Sequence, residues 1–168
     1  MRRLSFIGSI AAAAALLIAG CGGGNSNSSS TSSSTKSPSG SALVNSASTA
    51  SLGDIVVGPT GRTLYLFKKD TGPSSTCSGA CAAQWPPLTT SGAVTSSGGV
   101  SMSALKTVRR SDGKMQVTFA GHPLYYYAGD TAPGMANGQG LNTYGATWWA
   151  LSPSGKEVTV GGGAHGGY

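Results

Sequence analysis

Acidic side chains are scarce in this chain: Asp and Glu together number five in 168 residues, against eleven Lys and Arg. Glycoside hydrolysis and related acid/base chemistry need paired carboxylates, and so few leave little material for it. Histidine is scarcer still, at two. His122 stands beside Pro123 at a turn and His165 lies in a glycine-rich tail, neither with a nucleophile spaced to it. A Ser-His-Asp or Cys-His arrangement therefore has no support. No phosphate-cradling loop is present, because the close glycine cluster at 134–140 lacks Lys and opens no helix. Basic residues are scattered, with Lys68-Lys69 and Arg109-Arg110 the only pairs beyond Arg2-Arg3, so nucleic acid is not a predicted partner. Nor does any apolar run reach the ~20 residues of a membrane-spanning helix.

The longest apolar stretch, residues 4–19, instead follows Met1-Arg2-Arg3 and ends in Ala19-Gly20-Cys21. A basic start, a short apolar middle and a small-residue exit mark a cleaved export signal. The cysteine directly after the exit marks a lipoprotein. Residues 1–20 are predicted to be removed and Cys21 to be acylated, leaving 148 residues. Loss of Arg2 and Arg3 takes the formal charge from +6 to +4. Two or three acyl chains anchor stably where one gives only marginal binding. Membrane lipid is thus the first predicted partner, with the protein held on the extracytoplasmic face of the cell membrane or outer membrane.

Residues 21–51 are almost entirely Gly, Ser, Thr, Asn and Ala, with Lys36 their only charge. Such composition buries too little apolar surface to offset ordering entropy, and a disordered tether is expected. A Gly/Ser coil of that length spans roughly 30 Å.

Patterned sequence begins near Leu52, and it repeats. Gly61, Leu64, Tyr65, Phe67, Asp70, Thr71 and Pro73 match Gly121, Leu124, Tyr125, Tyr127, Asp130, Thr131 and Pro133 at an offset of sixty. Further on, Trp85 and Leu88 align with Trp148 and Leu151 after a net three-residue insertion. Each copy reads as a β-hairpin with a following loop. Residues 54–57 form a short apolar strand, 58–61 turn, and 62–67 alternate; in the second copy 114–119 alternate, Ala120-Gly121 turn, and 122–127 return. Period two puts Leu64 and Leu66 on one face and Tyr65 and Phe67 on the other. Apolar bulk on both faces implies a central strand between layers or within a small barrel. Residues 100–108 offer at most one short helical turn. The predicted architecture is all-β: residues 52–168 as one small pseudo-symmetric sandwich or barrel of two repeats, about 52–100 and 112–160.

Three groups of side chains could carry function. Asp70 and Asp130 each follow an aromatic-rich strand and precede Thr-x-Pro. Structurally, each carboxylate would accept a backbone N–H and fix the strand exit; functionally, the two would converge across a pseudo-twofold on a cation or ligand. Cys77 and Cys81 remain after Cys21 is lipidated, and outside the cytoplasm an even remainder is most simply a disulfide. The alternative is a copper(I) thiolate site completed from Met102, Met115, Met135, His122 or His165. Haem attachment fails on spacing. Trp85, Trp148, Trp149 and Tyr126 could line a sugar or quinone groove, yet a domain with few aliphatic residues needs aromatics as core.

The repeated Tyr-x-aromatic-x-x-Asp unit (Tyr65, Phe67, Asp70; Tyr125, Tyr127, Asp130) resembles bacterial lipoproteins described as secreted repeats of unknown function. The segment joining Cys77, Cys81, Trp85 and Leu88 strengthens the resemblance. It implies tandem extracytoplasmic β-rich repeats and carries no activity or cofactor. Only the first repeat holds the cysteine pair. The expected function is a non-catalytic envelope module that binds a ligand, an envelope protein or a glycan. A copper-handling or redox accessory protein using Cys77 and Cys81 is the alternative, and a glycan-acting enzyme a third reading.

Overall fold

Alternation of apolar and polar residues, broken by Gly, Pro and Asp, yields many short strands and almost no helix. The computed structural model describes residues 40–159; Cys21, the export signal, residues 21–39 of the tether and His165 lie outside them. The strands are β1 (Ala42–Thr49), β2 (Gly53–Val57), β3 (Tyr65–Phe67), β4 (Thr89–Thr90), β5 (Val94–Ser96), β6 (Leu105–Arg109), β7 (Met115–Phe119), β8 (His122–Pro123), β9 (Asn142–Thr143) and β10 (Ala146–Ala150). Among the described residues, helix is confined to a five-residue turn, α1 (Ala80–Gln84), and a 3-10 turn at Met102–Ala104. The fold is all-β, built of several sheets, and among the described residues none closes into a barrel.

The folded region starts earlier than composition predicts. Tether is expected through Ser51, yet β1 occupies Ala42–Thr49 and its second half pairs with β2, Asn45 opposite Val57 and Thr49 opposite Gly53. Its polar side chains conceal a short apolar alternation: Ala42 and Val44 are buried while their neighbours are half-exposed. Backbone pairing on both edges then holds it, since β5 adds in parallel with Ala42 opposite Val94. The second repeat has the same extra strand. After the 3-10 turn, β6 pairs antiparallel with β7, Leu105 opposite Phe119 and Arg109 opposite Met115, so this repeat also begins before residue 112. Among the described residues β6 has no strand on its outer edge. It carries Lys106 and Arg109, charges of the kind that blunt an open edge.

Each repeat supplies a hairpin, but neither completes its own sheet. In the first, the Leu64 N–H donates to Val56 O at 3.0 Å; in the second, the Leu124 N–H donates to Val117 O at 3.0 Å. The chain then leaves through an aspartate loop and resumes pairing with the other repeat. β10 of the second repeat lies against β3 of the first, Trp148 opposite Phe67 and Ala150 opposite Tyr65. The Val56 N–H donates to Leu151 O at 2.8 Å. Reciprocally, the segment around Leu88 joins the second hairpin: the Tyr126 N–H donates to Pro86 O at 2.8 Å, and the Val117 N–H to Leu88 O at 2.9 Å. The segment that follows each aspartate loop, β10 in the second repeat and residues 86–90 in the first, is exchanged, while β5 pairs back onto β1 of its own repeat.

The pseudo-twofold axis passes between Tyr65 and Tyr125, whose backbones exchange hydrogen bonds of 2.8 and 3.0 Å. Two cores lie on either side of these return strands, as the double-faced patterning predicts. One gathers Leu64, Leu66, Leu124, Val56 and Val117. The other gathers Tyr65, Phe67, Tyr125, Trp85 and Trp148. In the second, Phe67, Trp148, Trp85 and Tyr127 form one column of rings. Trp148 and Trp85 stack at 3.9 Å, Phe67 stacks on Trp148 at 4.0 Å, and Tyr127 leans on Trp85 at 4.5 Å. Tyr65 meets Trp85 edge-on and Tyr125 meets Trp148 edge-on, at 5.4 and 5.2 Å. Stacked and edge-to-face pairs each add about 0.5–1.5 kcal/mol beyond area burial. The column joins aromatics of both repeats, so it forms only when the halves are together.

Candidate functional site

The motif residues occupy the centre of the molecule. In a strand, Tyr and the aromatic two positions later share a face, and here both faces are covered. Tyr65 and Tyr125 are completely buried. Each hydroxyl therefore needs a partner, and it finds one on the opposite repeat. Tyr65 Oη donates to Asp130 Oδ2 at 2.6 Å, and Tyr125 Oη donates to Asp70 Oδ2 at 2.6 Å. Asp70 and Asp130 thus reach across the pseudo-twofold by exchanging tyrosine partners, each bonded to its own tyrosine and not to a shared ligand position.

The second oxygen of each carboxylate holds its own loop. Asp70 Oδ1 accepts from the Thr76 N–H and hydroxyl, both at 2.7 Å. Asp130 Oδ1 accepts from the Asn137 N–H at 2.8 Å. The expected backbone-accepting aspartate is present, though it reaches six or seven residues ahead instead of closing a tight turn. Burial, and secondarily the adjoining carboxylate, push both Tyr65 and Tyr125 far above the ordinary phenol range. Both phenols stay protonated as donors. Burial also raises the Asp130 carboxyl above its ordinary value, opposed by the Tyr65 hydroxyl, the Asn137 N–H and Arg62. Gly138 closes the centre: its N–H donates to Tyr65 Oη at 3.3 Å. A Cβ there would stand 2.9 Å from the rings of Trp85 and Tyr65.

Around this shared centre the two loops are secured differently. In the first, Cys77 and Cys81 form a disulfide with Cα atoms 5.3 Å apart, inside the range such a bond requires. A buried cation supports it. Arg110 donates to Cys77 O at 2.7 Å, Ser75 Oγ at 2.7 Å and Gln116 Oε1 at 2.6 Å. Ser75 Oγ lies 2.6 Å from Tyr125 Oη and, with the phenol proton on Asp70, donates to it, which links the cation to the tyrosine–aspartate pair. Sequence reasoning misses Arg110, Gln116 and Ser75, since an arginine beside an arginine reads as solvated surface. In the second loop Arg62 does the securing, with Nε donating to Asp130 O at 2.9 Å and Nη2 to Tyr127 O at 2.7 Å. Its guanidinium lies over the Tyr126 ring, 4.9 Å from the centroid. The repeat alignment does hold a signal for Arg62, because its equivalent is His122.

The remaining candidates divide between core and surface. Trp85 and Trp148 are core, whereas Trp149 and Tyr126 are half-buried against the aliphatic cluster. Tyr144 is an exposed aromatic that the repeat pattern does not single out; its hydroxyl donates to Gln84 Oε1 at 2.9 Å. With their sulfurs joined, Cys77 and Cys81 present no thiolates. Among the described residues no three of His, Cys, Asp and Glu stand close enough to share a metal ion. Also among the described residues, no helix is long and apolar enough to cross a membrane.

The fold and its centre define a tandem-repeat β protein in which two copies of one unit share one aromatic core through exchanged strands. Residues 46–89 and 106–152 each match the family described as a secreted repeat of unknown function. The matches cover more than half of the chain, which belongs to that family. Both matches begin inside or beside the strands β1 and β6 that the hairpin reading leaves out. No curated protein and no solved structure matches the chain.

Proposed function

We propose that this secreted-repeat protein is a non-catalytic envelope module, anchored to lipid through Cys21, that presents the outer faces of its two aspartate loops to a ligand or partner. One observation carries the reading: the repeated Tyr and Asp side chains are buried and hydrogen-bonded to one another. As motif residues they build a frame, and they offer no free acid, base or nucleophile. Outside that frame the two loops are tied differently, by Cys77–Cys81 in the first and Arg62 in the second, and each exposes the residue after its aspartate, Thr71 or Thr131. Loops on a rigid scaffold are the usual place for binding.

In-cell photo-crosslinking tests this. A photoreactive residue at Thr71 or Thr131 is expected to give a discrete adduct that the same residue at Lys114, on the β6–β7 turn, does not give. Equal labelling at all three positions, or none, would sink the reading. Anchoring is checked separately, by detergent-phase partition that disappears in Cys21→Ser. The copper or redox alternative requires the Cys77–Cys81 bond to open, so it predicts tight Cu(I) binding only after reduction and none in Cys77→Ser.

A further inference from the structure

The pseudo-twofold makes a position-by-position comparison possible, and one position is filled in only one half. Arg62 sits against the second aspartate loop, bonded to the carbonyls of Asp130 and Tyr127. Its equivalent, His122, sits against the first aspartate loop, whose corresponding carbonyls belong to Asp70 and Phe67. There a cleft of about 450 Å³ opens, lined by Lys68, Asp70, Thr71, Pro73, Gly121 and His122. His122 is half-buried, and its Nδ1 is shielded from solvent with no hydrogen-bond partner in the protein. A buried polar atom left in that way is unfavourable.

The glycines agree. A Cβ on Gly61 would meet Pro133 at 3.2 Å, whereas a Cβ on the equivalent Gly121 meets nothing within 4 Å. The second loop is closed down on its arginine, and the first stands open beside its histidine. Tyr127 O accepts both the Asp130 N–H at 3.1 Å and the Arg62 guanidinium. Its counterpart Phe67 O accepts the Asp70 N–H at 3.0 Å, which leaves a carbonyl lone pair on the corresponding side. Lys68, the cation at the rim, is paired with Glu157 at 2.8 Å.

We propose that this cleft receives a guanidinium group from outside the chain, in the place that Arg62 fills from within on the other side. The proposal rests on the binding-module reading and specifies its chemistry. A planar guanidinium offers N–H donors in a fixed fork, suited to two loop carbonyls beside the His122 ring. The group comes from an arginine side chain of a partner protein or from a free small guanidinium compound.

The full chain in detergent is titrated with N-acetyl-arginine amide, the matching citrulline amide, the matching glutamate amide and methylguanidinium, with backbone amide resonances as readout. Saturable shifts at Thr71, Gly121 and His122 with the arginine compound, at least tenfold weaker with citrulline, are expected. A response to methylguanidinium as strong as to the arginine amide identifies a free small compound, and a much weaker one identifies a partner's arginine. His122→Arg is expected to fill the cleft from within, raise the thermal midpoint by several degrees and abolish the shifts. Equal citrulline response, preference for glutamate, no saturable shift, or shifts that persist in His122→Arg would overturn the proposal. The citrulline comparison uses the unaltered protein, so it decides even if His122→Arg does not fold. Failure here with crosslinking retained at Thr71 removes the guanidinium alone, and loss of both removes the binding module as well.

Discussion

The two aspartate loops descend from the same repeat and are tied to the same centre, yet their outer halves are held by different chemistry. The first uses a covalent bond, Cys77–Cys81, with Arg110 buried behind it. The second uses Arg62, reaching across from the first repeat's hairpin. Inside, the central bond is the same: a tyrosine from one repeat meets an aspartate from the other at 2.6 Å in both directions. A frame that must satisfy buried hydroxyls and carboxylates tolerates little change, because a lost partner leaves a desolvated polar group. Loop exteriors face water, and there one constraint can stand in for another.

The comparison breaks most completely if the halves are separated. Residues 40–97 alone lack β10, which completes their sheet, and half of the ring column. No cooperative unfolding transition is expected from that fragment, whereas co-expression with residues 98–159 restores one, seen by near-ultraviolet circular dichroism of the stacked tryptophans. A fragment that is monomeric and folded would refute the exchange.

Next come the reciprocal bonds. Tyr65→Phe and Tyr125→Phe each remove a hydrogen bond to a carboxylate and leave a buried acceptor, for a predicted loss of about 2–3 kcal/mol each by denaturant unfolding. Because the pairs are equivalent, the two losses should agree within about 1 kcal/mol. A large gap would show that Ser75 and Arg110, which support only Tyr125, have taken over part of the task.

A smaller effect separates the loops. Cys77→Ser with Cys81→Ser should cost about 2 kcal/mol, the modest value expected for so short a covalent loop. Arg62→Met should cost about 1–2 kcal/mol through its two carbonyl bonds. Amide hydrogen exchange should speed up only in the first loop for the cysteine pair and only in the second for Arg62. Matching changes in both loops would mean that the centre, not the exterior ties, sets loop order.

The smallest effect is one of pH. Burial holds the Asp130 carboxyl above its ordinary value, so the folded state keeps a proton that the unfolded chain releases near pH 3.9. The resulting stabilisation is fully present below that pH and is lost as pH rises through the folded value. Measured from about pH 3 to about pH 6, the stability of the wild type relative to Asp130→Asn should fall. A relative stability that climbs with pH would contradict the sign.

Much of this molecule is legible in the order of its residues. Period two assigns Leu64 and Leu66 to one core and Tyr65 and Phe67 to the other. The spacing of Cys77 and Cys81 brings their Cα atoms within bonding reach, and the sixty-residue offset reveals the pseudo-twofold through Tyr65, Asp70, Tyr125 and Asp130. Each follows from chemistry local to the chain: side-chain direction in a strand, a short covalent loop, a repeated motif. The strand at Ala42–Thr49 is hidden because serine and alanine carry no strong pattern and are ordered by pairing on both edges. The exchange of the strands after the aspartate loops is hidden for a deeper reason. The two hairpins have the same pattern and present equivalent edges, so no local property distinguishes a strand's own partner from its counterpart. Only the three-dimensional path of the aspartate loops decides between them. That path also places Asp130 on Tyr65, buries Arg110 behind the disulfide and leaves His122 beside a cleft.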